Sequence, residues 1–431
     1  MPEPTPSSPT RAAAEGRVVV VGLGYVGLPV VAAAVGAGMS VAGLDASPER
    51  VAVLQEGRSP VDDLSDDDVA GLLAAGFTPT GDPDVLAGAA VVVICVPTPL
   101  GDDGSPDLTA VEQAAETVAA RLGPGTLVVL ESTTYPGTTE ELLQPVLERG
   151  GLVAGTDFHL AYSPERIDPG NRRYGLANTP KVLGGLTPAC ADAAEAFYGA
   201  FCEQVVRVAS TRVAELTKLL ENTYRTVNIA LVNEMAVFCH DLGVDLWEAI
   251  DAAATKPFGF APFRPGPGVG GHCIPIDPDY LSYAVRRLGY PFRFVELAQE
   301  VNARMPAYVV ARAGAMLNDV SRSVRGARVL LVGVTYKADV ADERQSPSVP
   351  VARRLLELGA LVSYADPFVP SWRVDGHDVA RVDDPVAAAP EQDLVVLLQP
   401  HSAFDVDAVA AGSSLFLDTR GVAAGDSVER L

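Results

Sequence analysis

The beginning of the chain carries the pattern that most restricts its fold. Arg17 to Val21 contains a run of four valines, and such a β-branched run predicts a buried strand. The turn Gly22-Leu-Gly24-Tyr-Val-Gly27 follows, then an Ala/Val-rich helix pattern to about Ala37. A second apolar run, Met39 to Leu44, ends at Asp45. This order of strand, glycine turn, helix, strand and acid predicts a dinucleotide-binding unit in a doubly wound parallel sheet.

The side chains of this unit favour NAD as the dinucleotide. The glycines allow a tight turn and let a pyrophosphate approach the helix N-terminus, where free N–H groups favour anions. Asp45 lies 18 residues after Gly27; its carboxylate can accept hydrogen bonds from a ribose diol and would repel a 2′-phosphate. Arg50 could offset that repulsion, but its position is more typical of a residue that flanks the adenosine half or faces solvent.

Three further β-branched runs predict strands of the same sheet, at 90–96, 126–130 and 158–162. Ligands of open α/β sheets bind at the carboxyl ends of the strands. We therefore expect Thr98, Thr133 and Glu165, which follow these runs, to line one crevice. The alternative is ordinary turn chemistry, because threonine and proline are common in turns.

A Gly/Pro-rich segment from Phe263 to Pro278 presents a single thiol. It has four glycines within six residues, Gly266 to Gly271, which would let backbone approach a ligand. Cys273 follows, and Asp277 lies four residues further on. A stiff turn that places a thiol near an acid suits covalent chemistry on a bound small molecule. The alternative is a linker that contains a buried cysteine.

A long helical pattern runs from Val213 to about Leu242 without glycine or proline. Lys218, Asn222 and Arg225 recur at i, i+4 and i+7, so they share one face. A solvated polar stripe is the usual meaning of such spacing. Because this helix connects the first sheet to the Cys273 segment, we interpret the stripe as facing a site. Further helix patterns follow at 246–254, 280–288 and 295–317, the last with a possible kink at Pro306.

The last third of the chain repeats the beginning. Arg328-Val-Leu-Leu-Val-Gly-Val-Thr-Tyr-Lys337 resembles the first strand and turn, a helix pattern follows at 348–358, and a strand at 361–364 ends at Asp366. Buried-strand runs at 394–398 and 414–417 complete a second doubly wound sheet. Lys337 and Arg344 occur where the first copy has glycines, so we expect cationic side chains to hold the nucleotide there.

Charge restricts the ligand classes. The formal net charge of −23 argues against nucleic acid and anionic membrane surfaces as partners. A phosphate ester would therefore need positive charge concentrated locally. The chain has only four lysines, Lys181, Lys218, Lys256 and Lys337. A lysine kept in so arginine-rich a chain indicates a position that needs an ammonium point charge.

Cysteine usage and the termini indicate a cytoplasmic protein. The five cysteines form no Cys-x-x-Cys pair, so neither a disulfide framework nor a zinc site is indicated. Cys95 and Cys239 lie in apolar or helical runs and are expected to be core thiols. No apolar run reaches membrane-spanning length, and residues 1–15 resemble a disordered tail without a signal core.

Six motifs together resemble the nucleotide-sugar 6-dehydrogenase family in order and spacing. They are Gly22-Leu-Gly-Tyr-Val-Gly-Leu-Pro, Val96-Pro-Thr-Pro, Ser132-Thr with Pro136-Gly-Thr-Thr, Ser163-Pro-Glu-Arg-Ile-Asp-Pro-Gly, Gly270-Gly-His-Cys-Ile-Pro-Ile-Asp-Pro and Tyr336-Lys-Ala-Asp. The resemblance covers about residues 17 to 425. It implies an α/β protein with two Rossmann-like doubly wound domains, joined by a helical region with a long central helix. The implied divisions are a tail at 1–15, an NAD-binding domain at 16–210, a central dimerisation region at 211–322 and a UDP-sugar domain at 323–431.

Within that family, three segments resemble the enzymes for UDP-N-acetylhexosamines. They are Lys256-Pro-Phe-Gly-Phe, Arg166-Ile-Asp-Pro-Gly and the Gly-Gly-His-Cys-Ile-Pro-Ile-Asp-Pro sequence around Cys273. UDP-N-acetylglucosamine is the first expected substrate, UDP-N-acetylmannosamine the second, and UDP-glucose the alternative. Gln345 departs from the family, which typically has glutamate after the arginine corresponding to Arg344; any charge role of that glutamate is therefore in doubt here.

The resemblance implies a four-electron oxidation of a C6 alcohol to a carboxylate, with two NAD molecules and no released aldehyde. Cys273 would add to the aldehyde as a thiolate, and loss of a second hydride would give a thioester that water cleaves. Lys218 and Asn222 would stabilise the oxyanion of each tetrahedral step. Asp277 and Thr133 would position a water or relay a proton, and Glu165 would assist thioester hydrolysis.

The resemblance also assigns binding residues. NAD would contact Gly22, Gly24, Tyr25, Val26, Gly27, Asp45, Arg50, Thr98 and Thr133. The UDP-sugar would contact Glu165, Arg166, Lys218, Asn222, Arg225, Phe263, Gly270, Lys337 and Arg344, with Arg225, Lys337 and Arg344 on the diphosphate. A homodimer paired through the central helix is the expected assembly.

Two other classes of function explain part of the pattern. A single-step NAD alcohol or hydroxyacid dehydrogenase accounts for the first sheet but gives Cys273 no task. A nucleotide-sugar sensor without catalysis accounts for both sheets, but not for the co-occurrence of Cys273, Lys218 and Asp277. The first would tolerate Cys273→Ser, and the second would form no NADH with any sugar nucleotide.

Overall fold

The computed structural model describes residues 16–431 apart from 62–63, 102–103, 169, 172, 272–273 and 426. The predicted tail at 1–15, His272 and the predicted nucleophile Cys273 lie outside the described residues. The chain divides into two compact units. One runs to Glu221 and includes Asp279–Tyr290; the other holds Asn222–Pro278 and Pro291–Leu431.

The first unit is built on an eight-stranded sheet. Its strands are β1 Arg17–Val21, β2 Ser40–Leu44, β3 Thr78–Thr80, β4 Ala89–Ile94, β5 Leu127–Leu130, β6 His159–Tyr162, β7 Lys181–Gly185 and β8 Val205–Arg207. Their spatial order is β3-β2-β1-β4-β5-β6-β7-β8. The first six strands are parallel and have the Rossmann order, whereas β7 runs antiparallel to β6.

The apolar runs form strands because the sheet buries them on both faces. Val18 to Val21 pair in register with β2 on one side and β4 on the other, and their side chains are buried. Such two-sided burial is why a parallel strand is a continuous β-branched run and not an alternating one. The carboxyl ends of β1, β4, β5 and β6 consequently open at one edge of the sheet.

Helices cover this sheet and connect its strands. They are α1 Gly27–Gly36, α2 Pro48–Gln55, α3 Asp66–Ala74, α4 Thr109–Ala119, α5 Gln144–Leu147 and α6 Pro188–Tyr198. A π-helical turn, Thr139–Leu143, leads into α5, and 3-10 turns lie at Pro83–Leu86 and Glu148–Gly150. Side-chain caps begin α2 at Ser47, α3 at Ser65 and α6 at Thr187, where each hydroxyl accepts an orphan backbone N–H.

The middle of the chain is helical. Its helices are α7 Thr211–Asp241, α8 Leu246–Ala254, α9 Asp277–Arg287 and α10 Arg293–Asp319. The 31-residue α7 contributes residues 211–221 to the first unit and the remainder to the second. Pro306 lies inside α10, and the helix continues through it.

A seven-stranded sheet forms the centre of the second unit. Its strands are β9 Arg328–Val332, β10 Leu361–Ala365, β11 Trp372–Val374, β12 His377–Arg381, β13 Leu394–Leu397, β14 Phe416–Asp418 and β15 Val428–Arg430. Their order is β11-β12-β10-β9-β13-β14-β15, parallel except between β11 and β12. The helices α11 Ser348–Glu357, α12 Pro385–Ala388 and α13 Val406–Gly412 complete it.

This architecture confirms the predicted fold class of two Rossmann-like sheets and a helical middle with a long helix. One buried cluster in the second unit combines α7, α8 and α10 with the second sheet, through residues such as Trp247, Val309 and Leu331. In the part of the chain that the structure describes, no helix combines the length and apolar character needed to cross a bilayer.

Candidate functional site

The glycine turn of the first unit has a shape that fits a dinucleotide. A Cβ on Gly27 would lie 1.9 Å from the carbonyl oxygen of Gly22, so only glycine lets α1 begin this close to β1. Around Gly24, by contrast, no atom of the described residues lies within 4 Å of where a Cβ would be. Tyr25 and Val26, both half-buried, complete the turn into α1. The turn therefore keeps open backbone at the helix N-terminus, where a pyrophosphate binds.

Asp45 is anchored at the end of β2, beside the same turn. Its Oδ2 accepts the N–H of Leu23 at 2.8 Å and its Oδ1 that of Ser47 at 2.9 Å. The guanidinium of Arg50 pairs with Asp45 Oδ2 at 3.2 Å, a contact that the sequence did not indicate. An arginine in the first turn of α2 can reach back to the acid that precedes the helix, and this explains the pair.

The carboxyl ends of β4 and β5 carry the two threonines. These strands are neighbours in the sheet, so Thr98 and Thr133 lie in loops at the same edge. The carbonyl of Thr98 accepts the hydroxyl of Tyr280 at 2.7 Å, which ties this loop to α9 within the first unit. Thr133 is half-buried and follows Ser132, whose hydroxyl donates to the carbonyl of Val96 at 2.8 Å.

Glu165 and Lys218 form a buried ion pair in the first unit. Lys218 Nζ lies 3.2 Å from Glu165 Oε2 and 2.7 Å from the Glu165 carbonyl oxygen. The carboxylate also accepts the N–H of Ile167. Burial raises the pKa of Glu165 above its ordinary value, and the ammonium groups of Lys218 and Lys181 offset this only in part. The protonated form of this carboxyl is therefore more favoured than it would be in water.

A second buried ion pair lies beside the first and was not predicted. Lys181 Nζ is 2.9 Å from Glu131 Oε2, and the hydroxyl of Tyr198 donates to the other oxygen at 2.5 Å. The scarcity of lysine drew attention to Lys181, but no sequence pattern paired it with a partner 50 residues earlier. Sheet order makes this pair, because Glu131 follows β5 and Lys181 begins β7, with β6 between them.

Arg166 is paired with protein in this structure. Its guanidinium contacts Glu221 at 2.7 Å and donates to the carbonyl of Pro180 at 2.5 Å. The side chain is roughly one-quarter exposed.

In the second unit, α7 contacts the chain on the C-terminal side of Cys273. Asn222 donates its amide to Asp277 Oδ2 at 2.5 Å, and both side chains are buried. One turn further along α7, the hydroxyl of Thr226 donates to the carbonyl of Ile274 at 3.0 Å. The backbone directly after Cys273 is thus fixed to the long helix.

The glycines before Cys273 allow close packing against protein, which the sequence did not indicate. A Cβ on Gly271 would lie 2.7 Å from the ring of Tyr336, and one on Gly270 would lie 2.7 Å from the carbonyl oxygen of Gln345. The N–H of Gly266 donates to Asn233 on α7 at 2.9 Å. The absence of side chains lets the segment lie directly against the loop that carries Lys337 and Arg344.

The cationic side chains expected at the diphosphate occupy different environments. Arg344 is exposed and forms a two-point contact with Asp342, at 2.9 and 2.8 Å. Lys337 is half-buried, whereas Arg225 on α7 is exposed. Phe263 is half-buried and meets Tyr224 edge-on, with ring centroids 5.6 Å apart. These four expected substrate contacts lie in the second unit.

Comparison with known families accounts for almost the whole chain. The UDP-glucose/GDP-mannose dehydrogenase family matches in three consecutive parts: its NAD binding domain at residues 16–202, its central domain at 212–304 and its UDP binding domain at 330–425. The chain belongs to this family. It is an NAD-dependent nucleotide-sugar dehydrogenase, and the dependence on NAD agrees with the glycine turn and with Asp45, the acid after β2.

Several individual relatives are named for a particular UDP-N-acetylhexosamine substrate. The UDP-N-acetyl-D-glucosamine 6-dehydrogenase of Pseudomonas aeruginosa is 38% identical over 392 residues, covering 90% of this chain and 91% of that protein. The UDP-N-acetyl-D-mannosamine dehydrogenase of Methanococcus maripaludis strain C7 is 33% identical, covering 94% and 93%. Among solved structures, UDP-D-ManNAc dehydrogenase from Pyrococcus horikoshii superposes with a TM-score of 0.86 at 31% identity, covering 96% of this chain and 98% of that one.

Proposed function

We propose that this protein oxidises the C6 hydroxymethyl group of a UDP-N-acetylhexosamine to the carboxylate, with UDP-N-acetylglucosamine as the first candidate and UDP-N-acetylmannosamine as the second. The observation that carries the proposal is on α7. This helix bears Lys218 and Asn222 four residues apart, and each is buried against a carboxylate, Glu165 and Asp277 respectively. Adjacent turns of one helix therefore carry a cation and an amide donor, the groups that stabilise an oxyanion.

Different residues of the chain would act in different steps of the reaction. In the first oxidation the alcohol loses its proton and a hydride to become the aldehyde. The Cys273 thiolate then adds to the carbonyl carbon, and the negative charge moves to oxygen, where Lys218 and Asn222 stabilise it. Loss of a second hydride gives a thioester; water adds, the C–S bond breaks, and the thiolate and the uronic acid leave.

Bound NAD would supply the hydride acceptor for each of the two oxidations, which corresponds to two NADH per sugar. The open backbone at Gly24 and the helix start at Gly27 would hold its pyrophosphate, and Asp45 its ribose. Asp277 would orient the water or relay a proton. Glu165, whose pKa is raised by burial, would take the proton from the water that attacks the thioester.

The decisive experiment follows NADH release with UDP-N-acetylglucosamine, UDP-N-acetylmannosamine, UDP-N-acetylgalactosamine and UDP-glucose in parallel. A pocket for the acetamido group should lose several-fold or more in kcat/KM with a 2-hydroxyl, because its polar groups go unpaired. We expect two NADH per sugar, and Cys273→Ser should stall after the first oxidation because a hydroxyl is a far weaker nucleophile than a thiolate. Equal or better kcat/KM with UDP-glucose would reject the substrate, and one NADH per sugar would reject the mechanism.

We also propose a homodimer paired through α7, and a cytoplasmic location. The dimer is supported by a stripe of exposed apolar residues on one face of the helix: Val213, Leu216, Leu220, Tyr224, Leu231 and Phe238. Four free, buried thiols, Cys95, Cys190, Cys202 and Cys239, agree with a reducing compartment. The proposed divisions remain 16–210 for NAD, 211–322 for the helical middle and 323–431 for the UDP-sugar.

A further inference from the structure

Two of the four lysines in the chain hold consecutive peptide groups. Lys181 Nζ lies 3.3 Å from the carbonyl oxygen of Pro164, and Lys218 Nζ lies 2.7 Å from that of Glu165. Both ammonium groups are buried, and each is also paired with a carboxylate. The backbone that carries Glu165 is therefore fixed by two cations that come from different elements, β7 and α7.

Lys181 is itself held by a closed group of buried side chains. Glu131 accepts Lys181 on one oxygen and the Tyr198 hydroxyl on the other, and the Lys181 ammonium lies 4.9 Å from the centroid of the Tyr198 ring. All three side chains are almost completely buried. Desolvation consumes most of the attraction within a buried ion pair, so stability alone gives little reason for this group.

We infer that Lys181, held by Glu131 and Tyr198, is a positioning residue that fixes the place and the charge of Glu165. Lys181 donates to the peptide group directly before Glu165 and adds a second positive charge to that of Lys218. The inference rests on the proposed function, in which Glu165 assists cleavage of the thioester. It assigns a task to three residues that do not touch the reacting atoms.

The charges around Glu165 in the first unit lead to opposite predictions for the removal of Lys181 and of Glu131. Lys218 on α7 and Lys181 on β7 lower the pKa of Glu165, whereas burial and the negative charge of Glu131 raise it. The other titratable groups nearby are the buried Cys95 thiol after β4 and the Tyr198 phenol on α6, and burial raises the pKa of both. Removing Lys181 should therefore raise the pKa of Glu165, and removing the charge of Glu131 should lower it.

The test compares Lys181→Met with Glu131→Gln in the full-length enzyme, following the pH dependence of kcat by NADH release. For Lys181→Met we expect the acid limb to move up by about one pH unit, with a roughly tenfold loss of kcat below it. For Glu131→Gln we expect the limb to move down. Lys181→Arg keeps the charge, so it should restore much of the wild-type profile. Damage that is merely structural would lower the rate in both variants without opposite shifts.

A double variant covers the case in which a single change leaves a buried charge that prevents folding. Lys181→Met with Glu131→Gln replaces the pair by neutral groups of similar size. In this double variant we expect the thioester on Cys273 to accumulate, because hydrolysis should slow more than the first oxidation. Mass spectrometry after an acid quench would detect it. Equal slowing of both steps, or unshifted limbs in the single variants, would overturn the inference and leave the proposed function intact. If wild-type enzyme forms no thioester and no second NADH, the proposed function itself fails.

Discussion

At the scale of single residues, Glu215 shows how burial sets the behaviour of an acid. Its side chain on α7 is buried and accepts the N–H groups of Gly137 and Thr139, at 2.6 and 2.8 Å, and the Thr139 hydroxyl at 2.7 Å. Burial raises the pKa of Glu215 from 4.5 to about 7, although these hydrogen bonds oppose the rise. The loop after β5, which carries Thr133, is thus tied to α7 by a carboxylate that titrates near neutrality.

Glu215→Gln should change how stability depends on pH. The folded pKa of Glu215 lies above the unfolded value, so the unfolded state releases its proton first as the pH rises. The contribution of Glu215 is therefore complete below about pH 4.5 and declines up to about pH 7. Chemical denaturation should show the wild type losing about 3 kcal/mol relative to Glu215→Gln over this interval. Parallel pH curves for the two proteins would contradict the assignment.

Asp45 and Arg50 lead to a prediction about cofactor choice. Asp45→Ala removes the carboxylate that would repel a 2′-phosphate and also releases Arg50, its 3.2 Å partner. A free guanidinium is a strong phosphate ligand. We expect the ratio of kcat/KM for NAD to that for NADP to fall at least tenfold, by roughly 1.4 kcal/mol. Adding Arg50→Ala should remove most of the gain with NADP. Wild-type protein that used NADP as well as NAD would show the ribose assignment to be wrong.

Single residues were predicted from the sequence where a local pattern names them. Asp45 follows a strand at a fixed distance from a glycine turn, and the structure places it beside that turn. Lys181 and Glu131 have no such pattern, because they meet only through the order of strands across the sheet. The partner of Arg50 was missed for another reason. Its side chain could face the cofactor, the solvent or the start of its own helix, and its direction depends on the rotamer and not on sequence spacing.

At the scale of elements, the glycines of the Gly/Pro-rich segment are required by the protein atoms that lie against them. Gly271 has a φ of +88° and lies against the ring of Tyr336. A sequence with four glycines indicates close approach, but it does not say whether ligand or protein approaches. The short edge strands β3, β8, β11 and β15 were not predicted for a related reason: each has three residues, too few to show a period.

Gly271→Ala has a matched control in Gly259→Ala. Both glycines have positive φ, +88° and +67°, so alanine at either site costs about 1–2 kcal/mol of backbone strain. Only at Gly271 would the new Cβ also meet protein, 2.7 Å from the Tyr336 ring, whereas no described atom lies within 4 Å at Gly259. We expect Gly271→Ala to lower the free energy of unfolding by about 1–3 kcal/mol more. Equal losses, measured by denaturant titration, would show that the segment does not depend on this contact.

At the scale of the whole molecule, the two sheets place an acid at corresponding positions, and each acid accepts a backbone N–H of the turn after the first strand of its sheet. Asp45 follows β2 in the first sheet, and Asp366 follows β10 at the corresponding place in the second. Asp366 accepts the N–H of Val334 at 2.7 Å and lies 3.0 Å from Nε2 of the fully buried His401. The repeat was visible in the sequence, but His401 was not connected with it. In the second sheet the acid therefore ties the end of β9 to a buried histidine.

The net charge of the whole chain makes the proposed dimer sensitive to salt. Each chain carries a formal charge of −23, so two chains repel each other at low ionic strength. The α7 stripe is apolar, with Leu220 62% and Leu231 54% exposed, so its burial should gain little from ion pairs that salt would weaken. Screening should then strengthen association: we expect the dimer dissociation constant to fall several-fold between about 10 mM and 150 mM salt, where the Debye length shrinks from about 30 Å to 8 Å.

In light scattering at both salt concentrations, Leu220→Glu should shift the mass toward the monomer. Leu358→Glu, at an exposed leucine outside the stripe, should not. A dimer that survives Leu220→Glu with Leu231→Glu, or one that dissociates as salt is added, would place the interface elsewhere.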